Sequence, residues 1–223
     1  MRASAKLALA LMMLGTATSV SAQRDEGIPP PGATFDESGG GETWTYIKPA
    51  IDLSKYDAVL IRPTTVSDSP GAQFDGISPA DQANFASVLS NALAVEMPKS
   101  FRVVQTPSAR TIAIHVTILG AKKTVGGVAT ATRVLPIGLA MSAFKSLEGK
   151  PGTLTGSLLI EVEFANAATG ELLAAAVRRR SPDALDVKAT VSTTDTVAAI
   201  AADLAQTIRE KLVGAGMPAS ARP

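Results

Sequence analysis

The sequence contains few side chains that could act in acid–base or nucleophilic chemistry. It has one histidine, His115, and no cysteine, so an imidazole general base would have to be His115. That residue lies between apolar neighbours in an alternating segment, 111–119, which is typical of a β-strand. We therefore interpret His115 as a hydrogen-bonded structural residue. A single histidine without a cysteine also argues against a zinc site.

A second pair with catalytic spacing is Ser142 and Lys145, which match the Ser-x-x-Lys pattern of penicillin-recognising enzymes. In that pattern the lysine lies one helical turn after the serine and is close enough to activate it. The companion motifs Ser-Asp-Asn and Lys-Thr-Gly do not occur in this sequence, and a pattern with two fixed positions arises often by chance. A hydrolase that uses Ser142 with Lys145, or His115, is the alternative interpretation. The favoured one is a protein without enzymatic activity.

Composition and motif spacing argue against several kinds of ligand. Lysine and arginine number 21 against 20 for aspartate and glutamate, so the chain has no general electrostatic reason to bind nucleic acid. The acidic run at 36–42 lacks the ligand spacing of an EF-hand. Gly149-Lys150 lacks the upstream glycine and the following serine or threonine of a phosphate-binding loop. We predict no cofactor and no metal.

The strongest concentration of charge is Arg178-Arg179-Arg180. Consecutive side chains of a strand point to opposite faces, so the three guanidinium groups cannot form one patch. We interpret them as a solvated strand end, and contact with lipid phosphate or an acidic partner is the alternative.

The first 22 residues have the features of a cleavable signal peptide. Two basic residues precede an uncharged apolar run at 7–14, and Val20-Ser21-Ala22 supplies small residues at the two positions that signal peptidase reads. Cleavage would make Gln23 the first residue, at a position where bacterial lipoproteins carry the acylated cysteine. We predict a periplasmic protein without that anchor. No later segment approaches about 18 consecutive apolar residues, so no transmembrane helix is expected.

Prolines and glycines divide the remainder of the chain into three parts. Residues 23–43 contain Pro-Pro-Pro and Gly-Gly-Gly runs with few apolar side chains, which predicts a flexible linker. We expect residues 44–214 to form one globular domain and residues 215–223 to be a disordered tail.

Hydrophobic periodicity predicts the elements of the globular domain. Strands are expected at 56–62, 101–105, 111–119, 154–164 and 171–179. Long amphipathic helices are expected from Ser78 to Pro98 and from Thr194 to Val213, and a short third helix within 134–147. The predicted fold class is α+β: a mixed or antiparallel sheet of about five strands, with the two long helices on one face.

Two groups of apolar side chains are candidates for contact with a partner or with lipid. Trp44 and Tyr46 precede the first strong strand, where they either pack over the edge of the domain or bind a partner. The stripe on the short third helix either covers the sheet or inserts into a partner groove or a lipid interface; it comprises Ile137, Met141, Phe144 and Leu147.

Three short motifs are similar to those of a known family. They are Trp44 followed by YDAVLI at 56–61, EVEF at 161–164, and ATGELLA at 168–174. With these motifs the chain resembles the bacterial family called domain of unknown function 3313, mostly envelope lipoproteins, over most of residues 44–213. The resemblance implies an envelope location and no established activity. The combined expectation is a non-enzymatic periplasmic accessory protein that binds an envelope protein or a lipid-like ligand, in an oligomeric state that the sequence leaves open.

Overall fold

The computed structural model describes residues 25–35, 43–74, 76–123, 156–182 and 192–220. In these ranges the chain forms eight strands and two α-helices. The strands are β1 (Thr34–Phe35), β2 (Trp44–Ile47), β3 (Ala58–Ile61), β4 (Thr65–Val66), β5 (Arg102–Val103), β6 (Thr111–Lys122), β7 (Ser157–Asn166) and β8 (Leu172–Arg180). The helices are α1 (Pro79–Glu96) and α2 (Thr193–Gly214).

All eight strands belong to one mixed sheet. Its order is β1-β2-β8-β7-β6-β3-β5, and β4 pairs with β6 beyond the end of β3. The pairs that involve β3, β4 and β5 are parallel, and the pairs among β1, β2, β8, β7 and β6 are antiparallel. The predicted α+β class with a mixed sheet is confirmed. The predicted number of about five strands was too low, because β1, β2 and β4 have only two to four residues and carry too little alternation to be recognised. The predicted third helix lies outside the described residues.

Both helices begin at a serine cap. Ser78 Oγ accepts a hydrogen bond from the Asp81 amide at 3.1 Å, and Ser192 Oγ accepts one from the Asp195 amide at 3.1 Å. Each bond satisfies one of the amides that a helix leaves without an intrahelical partner. Pro79 occupies the first turn of α1, where its missing N–H costs nothing.

The core lies between one face of the sheet and the two helices. Side chains alternate between the two faces along β6 and β7. Ile114 and Val162 point to the face that the helices cover, and both are buried. α1 and α2 pack on this face and on each other. Their buried side chains are Phe85, Leu89 and Leu93 of α1, and Val197, Ile200, Leu204, Ile208 and Leu212 of α2.

The described parts of the predicted linker and tail pack against the domain. The Gly27 amide donates to Glu161 Oε2 at 2.7 Å, and Trp44 Nε1 donates to the Gly27 carbonyl at 3.1 Å. At the other terminus Met217 is buried. The flexible linker expected over 23–43 and the disordered tail expected over 215–223 remain predictions, and these contacts concern only their described residues. Neither helix of the described ranges is apolar enough over a sufficient length to cross a membrane.

Candidate functional site

The helices cover only part of the sheet, and this leaves a groove at the side of α2. α1 packs over β3 and β4, and α2 over β7, whereas β8 and β2 continue the sheet beyond α2. The register places Val162, Ala176 and Thr45 side by side across β7, β8 and β2. The same face of β8 carries Ala174 one pleat away. Because alanine side chains are short, they leave a depression in the sheet surface beside α2.

The α2–β8 groove is the name we give to this space, which has a volume of about 410 Å³. Its floor is formed by Ala174 and Ala176, together with Thr45 and Ile47 of β2. The wall contributed by α2 and the end away from the arginines are mainly aliphatic; they comprise Leu204, Thr207, Ile208, Lys211 and Leu212 of α2, and Ile51, Leu53, Phe164 and Leu173. The volume and the apolar lining with a few polar groups are typical of small-molecule sites.

Arginines stand at the end of the groove where β8 finishes. Arg178 and Arg180 line the groove, and Arg179 is turned to the other face of the sheet. Arg180 Nη1 is paired with Asp203 Oδ2 at 3.1 Å. The predicted strand end is therefore present, but two of its guanidinium groups share one face with an apolar groove.

The Arg178 guanidinium is held by uncharged oxygens. Nη1 donates to the main-chain carbonyls of Trp44 and Val177, each at 3.2 Å. Nη2 donates to Thr45 Oγ1 at 2.5 Å. These bonds fix a half-buried cation across β2 and β8, and no carboxylate of the described residues pairs with it.

A lysine that follows the floor strand β2 is already paired. Lys48 follows Ile47 in the chain, and its ammonium group contacts Glu171 Oε1 at 2.5 Å. This hydrogen bond raises the pKa of Lys48 above its usual value, because it stabilises the protonated amine. Lys211 of α2 lines the groove and is exposed.

The predicted aromatic pair lies behind the groove. The side chain of Trp44 is only 1% exposed, and it packs with Leu119, Leu159 and Val177 on the face opposite the helices. Tyr46 packs against the same cluster and borders the groove at its edge. Trp44 is thus a packing residue, which was one of the two interpretations of the pair.

His115 also lies on the face opposite the helices, within a polar row across three strands. Its Nε2 is 3.2 Å from Thr65 Oγ1, its Nδ1 is 3.7 Å from Glu163 Oε2, and Thr65 Oγ1 is 3.0 Å from Thr117 Oγ1. The hydrogen bonding expected of a structural histidine is present. His115 is not among the residues that line the groove.

The other predicted site residues lie outside the described ranges. They are Ile137, Met141, Phe144 and Leu147 of the apolar stripe, and Ser142 and Lys145 of the catalytic-type pair. Within the described ranges, no three histidine, aspartate or glutamate side chains are grouped closely enough to hold a metal ion.

The residues that form the groove were not recognised in the sequence. The three consecutive alanines at 174–176 and the arginines that follow them were the available signal. Their meaning depends on which face of the sheet the helices cover and where that cover stops, and a strand pattern does not contain this information.

Several solved structures are similar to this chain. The PelC dodecamer from Paraburkholderia phytofirmans is 10% identical, with 75% of this chain and 96% of that chain covered and a TM-score of 0.36; a second PelC crystal form, of a variant, is 11% identical with a TM-score of 0.37 and coverages of 75% and 95%. Protein XCC0632 from Xanthomonas campestris, assigned to the family model DUF330, is 10% identical, with coverages of 76% and 91% and a TM-score of 0.41. Similarity at this level says nothing about ligands or assembly of this chain.

Among curated proteins none matches this chain. A family model does, and the residues it matches are 34–208, which is most of the chain and includes the three motifs singled out in the sequence. The chain therefore belongs to the family described as protein of unknown function (DUF3313).

Proposed function

We propose that this protein is a non-enzymatic accessory protein of the bacterial envelope that holds the apolar chain of a lipid-like ligand in the α2–β8 groove. The observation that carries the proposal is the groove itself, a space of about 410 Å³ with an aliphatic wall and an alanine floor. Apolar surface that stays open to water in a folded domain marks a site where another apolar molecule is bound.

The shape of the groove supports a long, thin ligand. Along β8 the floor runs from Ala174 to Arg178, which is about 13 Å at the usual rise of a strand. Along α2 the wall runs from Leu204 to Leu212, which is about 12 Å at the usual rise of a helix. The two estimates agree, and an extended alkyl chain is a ligand that can reach such a length.

The proposed envelope location has separate support in the sequence. Residues 1–22 carry the pattern of a signal peptide, and we propose cleavage between Ala22 and Gln23 with release into the periplasm. Mass spectrometry of the protein recovered from a periplasmic fraction is expected to give Gln23 as its first residue. Recovery of the uncleaved chain from the cytoplasm would contradict the location and leave the groove proposal to be judged by binding.

The other interpretations from the sequence remain predictions. An envelope protein that docks on the stripe from Ile137 to Leu147, and a hydrolase that uses Ser142 with Lys145, concern residues outside the described ranges. His115 lies on the other face of the sheet from the groove, so a hydrolase built on His115 would need a different substrate site.

The direct test is to close the groove from its floor. The substitution Ala176→Leu adds three carbon atoms where β8 faces α2, and it keeps the apolar character of the floor. The matched control is Ala202→Leu, because Ala202 is exposed on α2 and does not line the groove. Binding is measured by titrating delipidated protein with an uncharged naphthylamine dye whose fluorescence rises in apolar surroundings, and circular dichroism verifies that each variant is folded.

We expect the wild type and Ala202→Leu to bind one dye molecule with the same affinity. Ala176→Leu is expected to bind it at least tenfold more weakly, because the added side chain occupies the space of the ligand. Equal binding by a folded Ala176→Leu protein would show that the dye is bound elsewhere and would refute the proposal.

A further inference from the structure

We propose that the ligand of the α2–β8 groove is a single-chain carboxylate, and that Arg178 binds its carboxyl group. The inference rests on the proposed function, since it specifies the polar end of the molecule whose apolar chain fills the groove. It is carried by the position of a half-buried cation that has only uncharged partners, at one end of an apolar channel.

The hydrogen bonds of Arg178 fix its guanidinium and leave part of it available. A guanidinium has five N–H donors, and three of them are used in the bonds to the Trp44 and Val177 carbonyls and to Thr45 Oγ1. The other two donors have no partner among the described residues and remain for a ligand. Because the group is anchored on both β2 and β8, binding costs less side-chain entropy than it would at a mobile surface arginine.

The charges around the groove favour an anion at this end. Arg180 is already paired with Asp203, and Lys48, which follows Ile47 of the floor, is paired with Glu171. Arg178 is half-buried and has no carboxylate partner in the part of the chain that the structure describes. A partly buried charge beside apolar walls is stabilised by a counter-charge, and a charge-assisted pair is stronger than a neutral hydrogen bond.

The number of uncompensated charges selects the head group. One half-buried guanidinium matches one negative charge, and a planar carboxylate accepts two parallel N–H donors from it. A phosphate monoester carries about −1.5 to −2 charges near neutral pH, so one cation would leave it under-compensated. Lys211 also lines the groove and pairs with no carboxylate of the described residues, but it is exposed on α2, where water already solvates it.

The test compares three ligands that share one ten-carbon chain: decanoate, decyl phosphate and decanol. Each is titrated into delipidated protein by calorimetry below its micelle concentration. We expect the wild type to bind decanoate on the order of tenfold more tightly than decanol, which is a typical gain for a hydrogen bond to a charged group. Decyl phosphate is expected to bind no more tightly than decanoate.

Two variants locate the head group. Arg178→Gln is expected to bind decanoate and decanol equally, with the affinity for decanol unchanged. Lys211→Gln removes a charge of the same sign from the other rim and is expected to keep the preference of the wild type for decanoate. If Arg178→Gln does not fold, as judged by circular dichroism, Arg178→Lys retains the charge without the two-donor fork and is expected to lose most of the preference.

The outcomes separate this inference from the proposed function. If decanol binds the wild type as tightly as decanoate, the carboxylate inference is wrong and the apolar groove remains. Tighter binding of decyl phosphate than of decanoate, or loss of the preference in Lys211→Gln, would also overturn it. If none of the three ligands binds, the proposed function itself fails.

Discussion

The length of the bound chain is the property that the geometry of the α2–β8 groove predicts most sharply. The floor and the wall both run for about 12 to 13 Å. An extended alkyl chain with C–C bonds of about 1.5 Å advances about 1.25 Å per carbon. About ten carbon atoms therefore fill the groove, and further carbons extend into water at its end.

The expected affinities follow from the free energy of burying methylene groups. Each buried methylene contributes about 0.8 kcal/mol, which is about fourfold in Kd. From hexanoate to decanoate the affinity should rise by about two orders of magnitude. From decanoate to tetradecanoate it should rise by less than about fivefold, because the added methylenes are not buried in the groove.

The assay is competition of saturated carboxylates with six to fourteen carbons against the naphthylamine dye, each below its micelle concentration. The control is the same series on Ala176→Leu. There the bulkier floor residue should move the break, the chain length beyond which affinity stops rising steeply, to shorter chains. A constant increase per methylene through fourteen carbons, or the same break in both proteins, would refute the reasoning. The first result would mean that the chain is not confined to the groove, and the second that Ala176 is not part of its floor.

Three further predictions concern the fold. Gly120→Ala places a Cβ 2.9 Å from the Gln73 carbonyl oxygen, so it should lower the free energy of unfolding by about 1 to 3 kcal/mol; Gly71→Ala, with open space around it, is the control in urea denaturation. Trp44→Ala should lower the free energy of unfolding by about 3 to 5 kcal/mol because the indole is buried. A change under about 1 kcal/mol would contradict the packing role of Trp44. Hydrogen bonds from two basic side chains hold the pKa of Glu96 below its ordinary value of 4.5. The wild type should therefore be more stable than Glu96→Gln above that pH, and this difference in unfolding free energy should disappear as the pH falls through the lowered pKa. A pH-independent difference in denaturant midpoints would contradict this.

The ion pairs of Glu96 connect α1 to α2, so this last effect concerns the stability of the fold and not the groove. Arg209 of α2 donates to Glu96 Oε1 at 2.7 Å, and Lys99 contacts the same carboxylate. The Glu96 side chain is 13% exposed, so the pair is screened less than a surface pair. It joins the two helices on the side of α2 that faces away from β8 and from the groove.

The N-terminal segment has a comparable structural role on the other face of the sheet. Gly27 accepts from the Trp44 indole and donates to Glu161, whose side chain is 1% exposed. A carboxylate buried to this extent requires hydrogen-bond donors. The segment that was expected to be a linker provides one of them, so a truncation that removes Gly27 would expose the Trp44 cluster and leave Glu161 with one donor fewer.

The sequence contained enough information for the class of fold and for its main elements. Alternating apolar residues along β6 and β7 require a strand with one buried face, and Ser78 with Pro79 marks the beginning of α1. These features depend on residues that are close in the chain, so periodicity and capping chemistry reveal them. The family was recognisable for the same reason, because its motifs are short and continuous.

The groove depends instead on contacts between residues that are far apart in the chain. Ala176, Thr45 and Leu204 approach one another only because β2 pairs with β8 and α2 stops short of covering both strands. The same is true of Arg178: as part of a basic run it resembles a solvated strand end, and its uncharged partners are supplied by β2. Strand order and helix cover are set by packing of the whole domain, and no local pattern encodes them.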